Sequence, residues 1–154
     1  MQTTARLTEP SVSPVSARTY CVAPPQVEEV WKQIGHLIAT AYTHPSDETF
    51  EQTQADVLNG KALLWVAVQR GDFIAAAVTK IWQTNKKILS VLACAGEGDD
   101  WPGMLKPIED YAEREGCDAV RLEGRHGWQR VFPEYHQPWI VLEKRIKNAG
   151  RRNQ

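Results

Sequence analysis

Cysteine is scarce in this chain. Three residues, Cys21, Cys94 and Cys117, are spread over 154 positions with no CxxC pair. An odd count at wide spacing excludes a disulfide framework and a zinc knuckle, and points to reduced thiols in or near a core, as suits a cytosolic protein. Cys94 is read as a core cysteine rather than a nucleophile. The four histidines (His36, His44, His126, His136) show no HExxH or related spacing, so no metal is expected. A surplus of charge is also missing: 18 basic residues face 19 acidic ones, for a formal net charge of −1. That removes the global electrostatic case for nucleic acid or an anionic membrane. The basic residues are dispersed apart from Lys86-Lys87 and the C-terminal tail. No run approaches the ~20 apolar residues of a membrane span. Arg6 and Arg18 are not followed by an apolar stretch of the secretory kind, so no signal peptide is expected. Walker A, EF-hand and G-x-S-x-G patterns are absent.

What remains is an ordinary globular composition, 42% hydrophobic and 24% charged, with six tryptophans. The length suits one domain. Residues 1–18 (MQTTARLTEPSVSPVSAR) hold too little apolar surface to offset their ordering entropy, and read as a flexible arm. Residues 147–154 read as a solvated tail, leaving a domain over 19–146.

Within the domain, Thr19 to Val22 is a strand candidate. Pro24-Pro25 opens a helix whose Val27, Val30, Trp31, Ile34, Ile38 and Ala41 share a face. His44-Pro45 ends it, and Ser46 is the candidate N-cap of a second helix, with Asp47 and Glu48 in its first turn and Asn59-Gly60 as its stop. Leu63–Gln69, Phe73–Gln83 and Ile88–Ala95 follow as strands joined by short turns, hence antiparallel. The small side chains Ala75 to Ala77 allow a helix to approach the sheet closely. A helix from Trp101 to Glu115 then leads to a parallel strand at Ala119–Leu122. A short helix around Trp128 to Phe132 and a last strand at Trp139–Ile146 complete the order β-α-α-β-β-β-α-β-α-β. The fold class is therefore mixed α/β, a mostly antiparallel sheet with flanking helices.

This order resembles that of the GNAT acetyltransferase superfamily. The family carries an Arg/Gln-x-x-Gly-x-Gly/Ala pattern after its fourth strand, whose backbone N–H groups hold the pyrophosphate of acetyl-CoA at a helix N-terminus. The matching stretch here is Cys94-Ala95-Gly96-Glu97-Gly98-Asp99-Asp100-Trp101. Gly96 and Gly98 keep the glycine spacing and are the cofactor-binding candidates that the resemblance implies. Glu97, Asp99 and Asp100 put carboxylates where a polyanion would sit, and the Arg or Gln is missing. The resemblance further implies Tyr135 as proton donor to a departing thiolate and Glu123 or His126 as the base that takes a proton from an amine.

The string Gly116-Cys117-Asp118 to Gly127-Trp128, followed by Val131-Phe132-Pro133 and Tyr135, looks like small GNAT-like proteins encoded among the structural genes of tailed bacteriophages. That resemblance implies a non-enzymatic virion or assembly protein that uses the fold as a protein-binding module. Its partners would be other virion proteins, reached through the arm at 1–18, and its location the host cytoplasm and then the virion. No cofactor, membrane or nucleic acid is expected, and a homo-oligomer is left open. The alternative is an acetyl-CoA-dependent N-acetyltransferase acting on an amine. Whether the chain is an enzyme stays open here, leaning to no. Trp82, Trp101 and Trp139 are candidate interface tryptophans.

Overall fold

The computed structural model describes residues 16–43, 48–124 and 127–147. Most of the expected arm (1–15), most of the expected tail (148–154), the segment from His44 to Asp47 with the expected cap Ser46, and His126 lie outside them. The elements are β1 (Arg18–Cys21), α1 (Val27–Thr40), α2 (Phe50–Leu58), β2 (Leu63–Gln69), β3 (Asp72–Gln83), β4 (Lys87–Gly96), α3 (Trp101–Arg114), β5 (Ala119–Leu122) and α4 (Trp128–Val131). They form the expected mixed α/β fold around one five-stranded sheet ordered β1-β2-β3-β4-β5.

Local chemistry explains the boundaries. Pro24 and Pro25 sit in a 3-10 turn that leads into α1, as the fixed φ of proline allows. α2 starts at Phe50 under a full capping box: Thr49 accepts from the Gln52 N–H while the Gln52 side chain accepts from the Thr49 N–H. The N-cap is thus Thr49 rather than Ser46, because only Thr49 has a Gln three residues on. Gly60 and Gly116 follow the ends of α2 and α3 with φ of 77° and 75°, conformations that cost glycine nothing.

Alternation along the strands gives each face its own core. Leu64, Val66, Ala76 and Val78 meet Trp31, Ile34 and Ile38 of α1 and Val57 of α2. On the other face Trp65, Ala77, Leu89 and Val91 meet Leu105, Ile108 and Ala112 of α3, with Phe132 beyond α4. Ala67, Ala75 and Met104 form a third contact, so the alanines do admit α3 against the sheet. Polar ties cross the layers: Trp31 Nε1 donates to Gln54 at 2.8 Å, Lys80 pairs with Asp56 at 2.7 Å, and Thr19 Oγ1 donates to the Met104 carbonyl at 2.6 Å.

Neighbouring strands are antiparallel except β4 and β5, which are parallel, as the helical crossover requires. One expectation fails outright. Trp139–Ile146 is not a strand: among the described residues it pairs with nothing, and all of it is exposed. No helix among the described residues is long and apolar enough to cross a membrane.

Candidate functional site

The sheet opens where its one parallel pair ends. Ile88 to Val91 pair with Ala119 to Leu122, and then the strands part. β4 runs on to Gly96, paired on one side only with β3, so that its other edge turns toward the N-terminus of α3 without a neighbouring strand. Such an edge offers backbone donors and acceptors to an extended, amide-bearing ligand.

Beside this opening lies a cleft of about 600 Å³. It extends from the β3–β4 hairpin to Leu92 and Glu123, and is lined by Tyr42, Trp82, Ser90, Arg121, Glu123 and Trp139 among others. It exists because α1 and α2 pack on β2, β3 and β4, and no residue of β5 joins that core. Tyr42 shares a hydrogen bond with Thr53, and burial pushes its phenol above the usual range, with the nearby Glu48 and Glu123 carboxylates acting in the same direction. The Arg121 guanidinium lies 4.6 Å from the centre of the Trp139 ring, a cation–π arrangement. Sequence reasoning singled out Glu123, Trp82 and Trp139, but missed Tyr42 and Arg121. The available signal was alternation: Arg121 and Glu123 sit on the β5 face opposite Val120 and Leu122, which pack against the α3 core.

Tyr135 lies elsewhere. It packs on Phe132, with ring centres 5.6 Å apart, and its hydroxyl donates to Glu109 of α3 at 2.6 Å. Burial and that carboxylate push its pKa well above the ordinary phenol value, so the proton stays on oxygen. An aromatic chain continues from Phe132 to Trp128 and on to Trp101 at the start of α3. Glu123 and Tyr135 are thus not brought together: one belongs to the cleft, the other to the α3 side of the sheet. Cys94 is driven up to about 12 by burial, which keeps it a thiol and fits the core reading.

The glycine loop has a structural explanation. Gly96 adopts a φ of 127°, and a Cβ there would stand 2.4 Å from both the Ala75 Cα and the Ile74 carbonyl oxygen. The Glu97 N–H continues the β3 pairing by donating to Ile74 at 2.8 Å. At Gly98 a Cβ would meet only the flexible end of Met104. Asp100 caps α3: its side chain accepts from the Gly103 N–H and its carbonyl from the Met104 N–H, each at 3.0 Å. Pro102 has no N–H to give. The helix terminus is therefore already answered by a carboxylate, with Glu97 and Asp99 beside it. These residues do not fit the diphosphate of CoA.

No family model matches the sequence, and no curated protein is similar to it by sequence. Solved structures are similar in fold. A ribosomal-protein-alanine N-acetyltransferase from Brucella melitensis biovar Abortus superposes with a TM-score of 0.59 at 10% identity, covering 86% of this chain and 100% of that one. A GNAT family acetyltransferase from Staphylococcus aureus gives 0.59 at 14% identity, covering 85% and 99%. An aminoglycoside N-acetyltransferase in complex with CoA gives 0.62 at 11% identity, covering 89% and 99%. At such identities the likeness establishes the GNAT-like fold. It also overturns the expectation of a non-enzymatic virion protein: these neighbours are acetyltransferases by name, and they favour the alternative.

Proposed function

We propose that this chain transfers an acetyl group from a thioester to an amine, with the cleft beside β5 as the acceptor site. The observation that carries the reading is the parting of β4 and β5 after Val91 and Leu122, which opens the sheet next to a cleft holding a carboxylate. In this reading Glu123 attracts the protonated amine and takes a proton from it, so that a neutral nitrogen attacks the acyl carbon. Tyr42 and Trp82 supply flat walls that orient the acceptor. Tyr135, on the α3 side of the sheet with its hydroxyl donating to Glu109, is left out of this reaction, and the departing thiolate takes its proton from solvent. The donor's carrier is left unassigned, because the loop after β4 is acidic.

The test is thiol release from two acetyl thioesters, acetyl-CoA and acetyl-pantetheine, against a panel of amines. The expected result is amine-dependent turnover, with Glu123→Gln lowering kcat/KM by roughly 10²–10⁴-fold, the usual weight of a general base. Acetyl-pantetheine should serve at least as well as acetyl-CoA. Lack of turnover with both donors, for every amine, would overturn the proposal.

A further inference from the structure

The segment Trp139–Ile146 reads as a strand in sequence and pairs with no strand among the described residues of the single chain. Its residues Trp139-Ile140-Val141-Leu142 are β-formers, and their exposure rises from 56% at Trp139 to 87% at Leu142 as the chain leaves the domain. A contiguous run of exposed large apolar residues marks an interaction surface. The sheet presents a matching vacancy. Among the described residues β5 pairs only with β4, so its outer edge is uncovered, with Arg121 as the single charge along Ala119–Leu122.

The two features complement each other. As an extended strand the segment places Ile140, Leu142, Lys144 and Ile146 on one face and Trp139, Val141, Glu143 and Arg145 on the other, so the first face is apolar but for Lys144. The first face would continue the apolar row of Val120 and Leu122, which lies against the α3 core. The second would continue the row of Arg121 and Glu123, with Glu143 set against Arg121. Within one chain this closure is not made. Trp139 of the segment meets Arg121 of β5, and the residues that follow are exposed.

We propose that Trp139–Ile146 of one copy adds as a strand to the β5 edge of a second copy, and reciprocally, giving a two-fold strand-exchanged dimer. A reciprocal exchange covers the β5 edge and the apolar arm of both copies at once, as an isologous interface requires. The partner's arm would also border the cleft beside Arg121 and Glu123, so the exchange completes a wall of the proposed acceptor site.

The experiment is sedimentation of the full chain beside Val141→Pro and Leu142→Pro, and of a charge exchange. N–H groups alternate along an edge strand, so one of Val141→Pro and Leu142→Pro removes a ladder N–H, and at 79% and 87% exposure both should leave the fold unaffected. The expected result is a dimer for the native chain, and a monomer of unchanged circular dichroism and Tm for one of Val141→Pro and Leu142→Pro. Arg121→Glu should weaken the dimer by up to roughly fivefold for each of its two charge pairs, and adding Glu143→Arg should restore it. A native chain that stays monomeric at the highest soluble concentration would overturn the proposal. In that case, slow hydrogen exchange at 139–146 would assign the edge to the chain's own arm, and fast exchange would assign it to a different protein. A dimer that survives both Val141→Pro and Leu142→Pro would overturn it equally.

Discussion

The two sides of the sheet are built differently. From β2 to β4 helices lie on both faces, and Ile34, Ile38, Leu64, Val78, Leu89 and Ile108 are almost wholly buried. At β5 the strand shortens to Ala119–Leu122, its residues are only partly covered, and the chain beyond it stays in the open. Stability is concentrated where layers close, and binding surface is left where they do not. Ile38→Ala, on the closed side, should lower unfolding free energy by about 2–5 kcal/mol in urea titration. Val131→Ala, on the open side and 37% exposed, should stay within about 0.5 kcal/mol. Equal losses at the two positions would mean that β5 and α4 are as closely packed as the rest.

The closed side was also the legible one. Helical spacing in α1 and α3, and apolar runs between short turns in β2, β3 and β4, are local signals that packing then reinforces. Ala75 to Ala77 announced a close helix, and α3 lies there. The start of α2 was misread because Ser, Asp and Thr are all good caps, and only the reciprocal bond with Gln52 decides for Thr49. The strand at Trp139–Ile146 was misread because alternation reports a preference for pairing but not the existence of a partner. In the site, Glu123 was found as a polar residue after a strand. Tyr42 could not be, since its approach to Glu123 depends on how α1 ends over the sheet, a relation between segments some 80 residues apart. The functional expectation failed for a different reason: resemblance of a short string carried it, and the fold comparison covers far more of the chain.

Cys94 sits where the closed side gives way to the parted strands, and its ionisation probes how dry that junction is. Burial raises its pKa from 9.0 to about 12. A raised folded pKa gives stability that is complete below the unfolded value, and that falls as pH climbs from about 9 toward 12, because the unfolded thiol ionises first. At about pH 10.5 the folded state should have lost about 2 kcal/mol from this group. Other thiols and phenols shift the same way, so the useful quantity is the difference between native chain and Cys94→Ala. A parallel pH dependence for the two proteins would mean that water reaches the junction.

The smallest effect separates two duties of Asp100, at the edge between the regions. Its side chain caps α3 through the Gly103 N–H, and its charge answers the helix dipole. Asp100→Ala removes both, and should cost about 1 kcal/mol in thermal or urea unfolding. Asp100→Asn keeps an accepting oxygen and removes the charge, so only a few tenths of a kcal/mol should be lost. Binding should rank the variants differently. If the acidic loop is what disfavours the diphosphate, both substitutions should tighten acetyl-CoA, while acetyl-pantetheine, which lacks that group, should be indifferent to either. Tighter binding of both donors alike would locate the effect in the helix rather than in charge. An unchanged affinity for acetyl-CoA would place the carrier away from this loop, leaving the cap as the whole reason for an aspartate at the start of α3.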